Sequence, residues 1–82
     1  MKILYFANIR QTIGLIEEYI DIDEGYTVEE VIKMLVKKNE KYKKAFLNID
    51  NIKCSINLNY VKLNAKVKNT DELAFFPPVT GG

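Results

Sequence analysis

Branched and aromatic side chains crowd the first positions of the chain, and from Lys2 to Ala7 they predict an opening strand. Asn8 to Gly14 is turn and short-helix material, with Gly14 as its stop. Leu15 to Asp23 predicts a second strand, because Ile20 and Ile22 alternate with Tyr19, Asp21 and Asp23 at the two-residue period of a half-buried strand. Asp23-Glu24-Gly25 then breaks the chain.

The period changes at Thr27. Val28, Val31, Ile32, Leu35 and Val36 recur at helical spacing and form one apolar stripe. Thr27 with Glu30 three residues on fits a capping box. Glu29 and Glu30 sit at the positive end of the helix dipole, and Lys37 and Lys38 at its negative end. A short second helix is predicted over Lys41 to Leu47, where Tyr42, Ala45 and Phe46 are apolar, and Asn48 to Asn51 is turn-like. Ile52 to Leu58 returns to strand character with Cys54, Ile56 and Leu58 on one face. Asn59-Tyr60 is the expected tight turn, and Val61 to Leu63 a short return strand. After the polar connection Lys66 to Asp71, the last strand runs from Glu72 to Phe76. Two strands, a helix and two or three further strands make an α+β layout, a mixed sheet with one main helix on one face, within a single domain over residues 1–82.

One helix stripe covers only one face of a sheet. Strand side chains alternate, so Leu73, Phe75, Ile3 and Tyr5 fall on one side, while Leu4, Phe6 and Phe76 fall on the other. If the first set packs on the helix, the second is left as an apolar group on the open face, with Tyr60 at its rim; such a group suits a partner. Loops over that face, or the scattered apolar side chains that every surface carries, would account for it equally well. The residues beyond Phe76 favour docking. Pro77 and Pro78 stiffen the exit from the sheet into a polyproline-like rod, and Gly81 and Gly82 carry no side chain at all. Bare backbone suits a slot too narrow for side chains, and Val79 to Gly82 reaches roughly 13 Å when extended.

Composition narrows the chemistry. With 82 residues, 48% hydrophobic and 28% charged, the chain is an ordinary small globular protein. It contains no histidine, so neither a Ser-His-Asp nor a Cys-His unit can be built, and the usual general base near neutral pH is missing. The chain is expected not to be an enzyme by itself. A net charge of +1 gives no electrostatic case for nucleic acid or an anionic membrane. Cys54 is the lone cysteine, which excludes an internal disulfide and a cysteine metal cluster; on an apolar strand it is expected to be a core residue. Lys37, Lys38, Lys41, Lys43 and Lys44 cluster, but Glu40 interrupts them and no aromatic or glycine-rich reader accompanies them, so a solvated helix face is expected. Glu17 and Glu18 are adjacent, hence on opposite faces of a strand, and cannot form a catalytic pair. Met1 leads directly into strand-like sequence, with no signal peptide or apolar run of transmembrane length, and a cytoplasmic protein is the expectation.

The string Phe75-Phe76-Pro77-Pro78-Val79-Thr80-Gly81-Gly82 resembles the C-terminus of the small, sulfur-carrying subunits of molybdopterin synthase, a family of ubiquitin-like proteins. Ile3-Leu4-Tyr5-Phe6-Ala7 followed by Arg10 and Gly14 resembles that family's opening strand and loop, and Asp71-Glu72-Leu73-Ala74 precedes the tail. From about Tyr19 to Leu63 the match is one of pattern only. The resemblance implies a β-grasp, or ubiquitin-like, fold with its first and last strands side by side at the centre. It also implies that Gly82 is the reactive position. A ubiquitin-activating-like adenylyltransferase would spend ATP to adenylate the Gly82 carboxylate, and sulfur would replace AMP to leave a thiocarboxylate. The large catalytic subunit of the synthase would receive the tail through Phe6, Tyr60, Phe76, Pro77, Pro78, Val79, Thr80 and Gly81, in a heterotetramer carrying two small subunits. No cofactor or metal is expected on the chain itself. A sulfur carrier for thiamine or tRNA thiolation, a ubiquitin-related modifier and a non-covalent ubiquitin-like module share the fold; Phe75 to Thr80 argues for the molybdopterin branch. A small RNA-binding domain is the weakest rival, and steep salt dependence of binding would mark it.

Overall fold

The first and last strands lie side by side at the centre of the sheet. In the computed structural model, which describes residues 1–78, β1 (Lys2–Tyr5) and β5 (Glu72–Phe76) run parallel, with Ile3 opposite Leu73 and Tyr5 opposite Phe75. Parallel neighbours cannot be joined by a hairpin, so the intervening chain has to cross over and build the rest of the domain. Beside β1 lies β2 (Glu17–Tyr19), antiparallel to it; beside β5 lies β3 (Lys53–Ile56), followed at the far edge by β4 (Asn59–Val61). The order is β2-β1-β5-β3-β4, a mixed five-stranded sheet. This is the β-grasp fold.

The main helix, α2 (Val28–Lys38), starts where the capping box predicts. Thr27 Oγ1 accepts from the Glu30 amide, and the Glu30 carboxylate accepts from the Thr27 amide, each at 3.2 Å. Its stripe of Val28, Val31, Ile32 and Leu35 is buried against the sheet residues Ile3, Tyr5, Leu73 and Phe75. Phe46, just after α3 (Glu40–Ala45), meets the Phe75 ring edge-on at 5.0 Å. Those β-strand and helix side chains form one core.

Several segments depart from the pattern-based expectation. Of the turn and short-helix material expected over Asn8 to Gly14, the structure makes a helix, α1 (Ala7–Ile13), which begins one residue earlier, buries Ile9 and Ile13 one turn apart and stops at Gly14 as expected. Gly14 caps it in the left-handed conformation, φ 83°, donating its amide to the Arg10 carbonyl at 2.7 Å. Seven residues give too few turns for the helical period to stand out. The second strand is shorter than Leu15 to Asp23. Ile20 and Ile22 are buried, as their alternation predicts, but past Tyr19 the sheet offers little backbone to pair with. Ile20 exchanges hydrogen bonds with Met1, and Ile22 pairs with the side-chain amide of Asn69 through two bonds of 2.9 Å. Finally, the hairpin turn is Asn57-Leu58, not Asn59-Tyr60. Both of the latter belong to β4, with Tyr60 opposite Ser55 and Asn59 opposite Ile56. Leu58 therefore leaves the apolar face of β3 and sits in the turn, where nothing in its side chain announces one.

Candidate functional site

Alternation along β1 and β5 divides the sheet sharply. Ile3, Tyr5, Leu73 and Phe75 point into the core and are essentially without exposure, whereas Leu4 and Phe76 lie on the other face. Among the described residues, no helix covers that second face. It forms a shallow groove of about 420 Å³ whose walls include Leu4, Phe6, Tyr60, Ala74, Phe76 and Pro77. Ala74 and Ser55, cross-strand neighbours and both buried, make its floor.

Each aromatic is placed by a local feature. Phe6 directly follows β1, and its amide donates to the Phe75 carbonyl at 3.1 Å, which ties it to the end of β5; the residue after it begins α1, so the ring stays 44% exposed. Tyr60 stands on the edge strand β4 and is 77% exposed, with its ring 5.6 Å from that of Phe76. Pro77 is the first residue past β5 and belongs to the groove wall. The structure thus brings Phe6, Tyr60, Phe76 and Pro77 together on one surface, with Pro78 half-buried beside it. Val79, Thr80, Gly81 and Gly82 lie outside the described residues. At one end of the same face the Lys2 ammonium stands between the carboxylates of Glu17 and Glu72, at 3.7 and 3.9 Å.

The family model that matches this chain is the ThiS family, over residues 3–82, a span that takes in the whole groove and both terminal glycines. The chain belongs to the ThiS family. A curated relative, the molybdopterin synthase sulfur carrier subunit of Haemophilus influenzae, is 39% identical over 83 residues, covering 100% of this chain and 99% of its own length. Among solved structures, a putative molybdopterin converting factor, subunit 1, from Pyrococcus furiosus is 32% identical with a TM-score of 0.77, covering 95% of each chain. The small archaeal modifier protein 1 of Haloferax volcanii is 26% identical with a TM-score of 0.77, covering 96% of this chain and 97% of its own.

In this ThiS-family chain two candidate side chains outside the groove, Cys54 and Glu18, make structural contacts. Cys54 faces the core opposite Phe75, and its thiol donates to the Val61 carbonyl at 3.4 Å. Burial pushes the thiol up, and the neighbouring Lys53 opposes that only in part. Glu18 is likewise engaged within the fold. One of its oxygens accepts from the Tyr5 and Tyr42 hydroxyls, at 2.7 and 2.6 Å, which links β2, β1 and α3. The pattern of residues missed this triad, because two phenols so far apart in sequence carry no spacing signal. Leu58, on the groove wall beside Tyr60, was missed for a different reason: placing the turn two residues late put it inside a strand.

Proposed function

We propose that this chain is the sulfur-carrier subunit of a molybdopterin synthase, acting in the cytoplasm through its C-terminal glycine and contributing no catalytic group of its own. The observation that carries the proposal is the continuity of β5. One strand anchors Leu73 and Phe75 in the core, lays Phe76 on the open face and releases the tail at Pro77 on the lip of the groove. A body docked on that groove meets the root of the tail, and the four residues after Pro78 would span roughly 13 Å if fully extended. The full-length likeness to a molybdopterin synthase sulfur carrier subunit supports the same assignment.

The chemistry follows from the weakness of a carboxylate as an electrophile. An activating enzyme joins a Gly82 carboxylate oxygen to the α-phosphorus of ATP, and pyrophosphate leaves. The terminal sulfur of a donor persulfide then displaces AMP from the acyl carbon, and a thiol splits the resulting S–S bond, leaving a thiocarboxylate and a disulfide. In the large subunit the thiocarboxylate sulfur attacks a carbon of the pterin precursor and displaces an oxygen substituent from it. Water then cleaves the acyl–sulfur bond, leaving the sulfur on the pterin and returning the Gly82 carboxylate. A dithiolene needs two sulfurs, which suits a heterotetramer with two carriers. The carrier itself supplies position and an acyl group; ATP binding and base catalysis lie with its partners, in keeping with a chain that has no histidine.

The test is an intact-mass measurement after incubation with ATP, the activating enzyme and a sulfur donor. The mass should rise by the difference between sulfur and oxygen, localised to Gly82. The likeness to a small archaeal modifier protein favours one second reading, in which the activated glycine is passed to an amine. An isopeptide-linked product in the same incubation, with no thiocarboxylate, would select it.

A further inference from the structure

Leu58 is an unsuitable residue for the backbone it occupies. It is the second of the two residues joining β3 to β4, and both have positive φ, 50° at Asn57 and 72° at Leu58. A two-residue loop of this kind favours Asn followed by Gly. Asn57 meets the first preference. Leu58 does not meet the second, since a Cβ in the left-handed region crowds the following carbonyl.

Such a conformation persists only where the surroundings enforce it. Here they do so through Asn57. Its amide donates to the Glu72 carbonyl, its side-chain oxygen accepts from the Glu72 amide, and its side-chain nitrogen donates to the Asp71 carboxylate, all at 2.9 Å. The other Asp71 oxygen accepts from the Lys68 amide at 2.8 Å. The turn is clamped to the start of β5. Among the described residues nothing offsets the strain by burying Leu58, which at 88% is the most exposed of their large apolar side chains. Yet it forms part of the groove wall with Phe6, Tyr60 and Phe76.

We propose that Leu58 is a partner anchor: the clamped turn holds it ready to insert into an apolar pocket of the protein that receives the tail. The inference rests on the docking role assigned to the groove under the proposed function. A side chain presented on a fixed turn loses little freedom on binding, so its burial is retained in the affinity. The occupant is that receiving protein and not a second copy of the chain. Pro77 belongs to the groove, so two copies paired through it would lay both tail roots against each other and away from any third protein.

The test compares Leu58→Gly, Leu58→Asn and Phe76→Ala with the unaltered chain, using urea unfolding and binding to the purified large synthase subunit. Glycine and asparagine both tolerate positive φ. Both Leu58 variants should therefore unfold at a urea concentration equal to or above that of the unaltered chain, and each should bind the large subunit about tenfold or more weakly. Phe76→Ala should also bind weakly. If Phe76→Ala loses affinity while the Leu58 variants stay within twofold, the anchor is refuted and the docking face stands. If all three bind normally, the docking face itself is wrong. Clear destabilisation by Leu58→Gly would show that Leu58 is held by contacts within the chain, overturning the proposal. So would an unaltered chain that sediments alone as a dimer and becomes a monomer on Leu58→Gly.

Discussion

Phe75 and Phe76 are neighbours in sequence and stand on opposite sides of one sheet. The Phe75 ring is fully buried, stacked 6.2 Å from Tyr5 and edge-on to Phe46, while the half-buried Phe76 ring lies on the open groove 5.6 Å from that of Tyr60. One peptide bond separates a stability residue from a surface residue, so the same truncation should do opposite things at the two positions.

Phe75→Ala should cost about 3–5 kcal/mol of folding stability, the range for emptying a filled aromatic core site. Phe76→Ala should cost far less stability. Its loss should appear instead in binding to the large subunit, at about 2 kcal/mol, roughly thirtyfold in affinity. Urea unfolding and a binding titration on both variants separate the two effects. Loss of soluble protein on Phe76→Ala would reverse the assignment of faces.

The division of faces was legible because β alternation is a strict period of two: once Leu73 and Phe75 are placed inside, Phe76 and Leu4 have no choice. The capping box at Thr27 was equally legible, being a local bond between residues three apart. The features that failed were those whose partners are remote. The strand predicted over Leu15 to Asp23 ends early because the group that satisfies the Ile22 backbone is the side chain of Asn69, 47 residues away. The turn was misplaced because Asn57 is held there by Asp71 and Glu72, not by any glycine beside it. The groove residues Phe6, Tyr60, Phe76 and Pro77 emerged from the sequence, whereas Leu58 required the turn to be seen.

The Tyr5–Glu18–Tyr42 contact makes a prediction about alkaline pH. Burial first, and then the hydrogen bond to Glu18, raise both phenols well above their ordinary value near 10. The folded state therefore holds these protons more tightly than the unfolded chain. The stability they contribute is fully present below about pH 10 and is lost as pH rises beyond it. The urea midpoint should fall as pH rises above about 10, and Tyr5→Phe or Tyr42→Phe should flatten that fall. At neutral pH the Tyr42→Phe change should cost about 1 kcal/mol, the net value of one hydrogen bond. An unchanged alkaline slope in both variants would show that other groups govern it.

Cys54 should be chemically silent in the native protein. Its thiol is buried and raised by that burial, so little of it is thiolate at pH 8. A maleimide or iodoacetamide should label it slowly in buffer and completely in urea, as read by intact mass. Cys54→Ala should still acquire sulfur from the activating system. Sulfur found on Cys54 in the native chain would displace Gly82 as the reactive position.

Docking and acyl transfer are assigned to different parts of the chain, so they should come apart by mutation. Deleting Gly82 shortens the tail by about 3.3 Å of extended backbone, as large as the roughly 3–3.5 Å separation that reacting groups require. The groove is untouched by the deletion, since its walls come from β1, β3, β4 and β5 and their flanks, ending at Pro77. The shortened chain should bind the large subunit with nearly unchanged affinity, yet accept no adenylate and deliver no sulfur. In a reconstituted synthase supplied with thiocarboxylated full-length carrier, it should then act as a competitive inhibitor, raising the carrier concentration needed for half-maximal rate without lowering the limiting rate. Full carrier activity of the shortened chain would refute the tail mechanism. Inactivity without competition would move most of the binding energy from the sheet face to the tail, and Phe76→Ala should in that case bind like the unaltered protein.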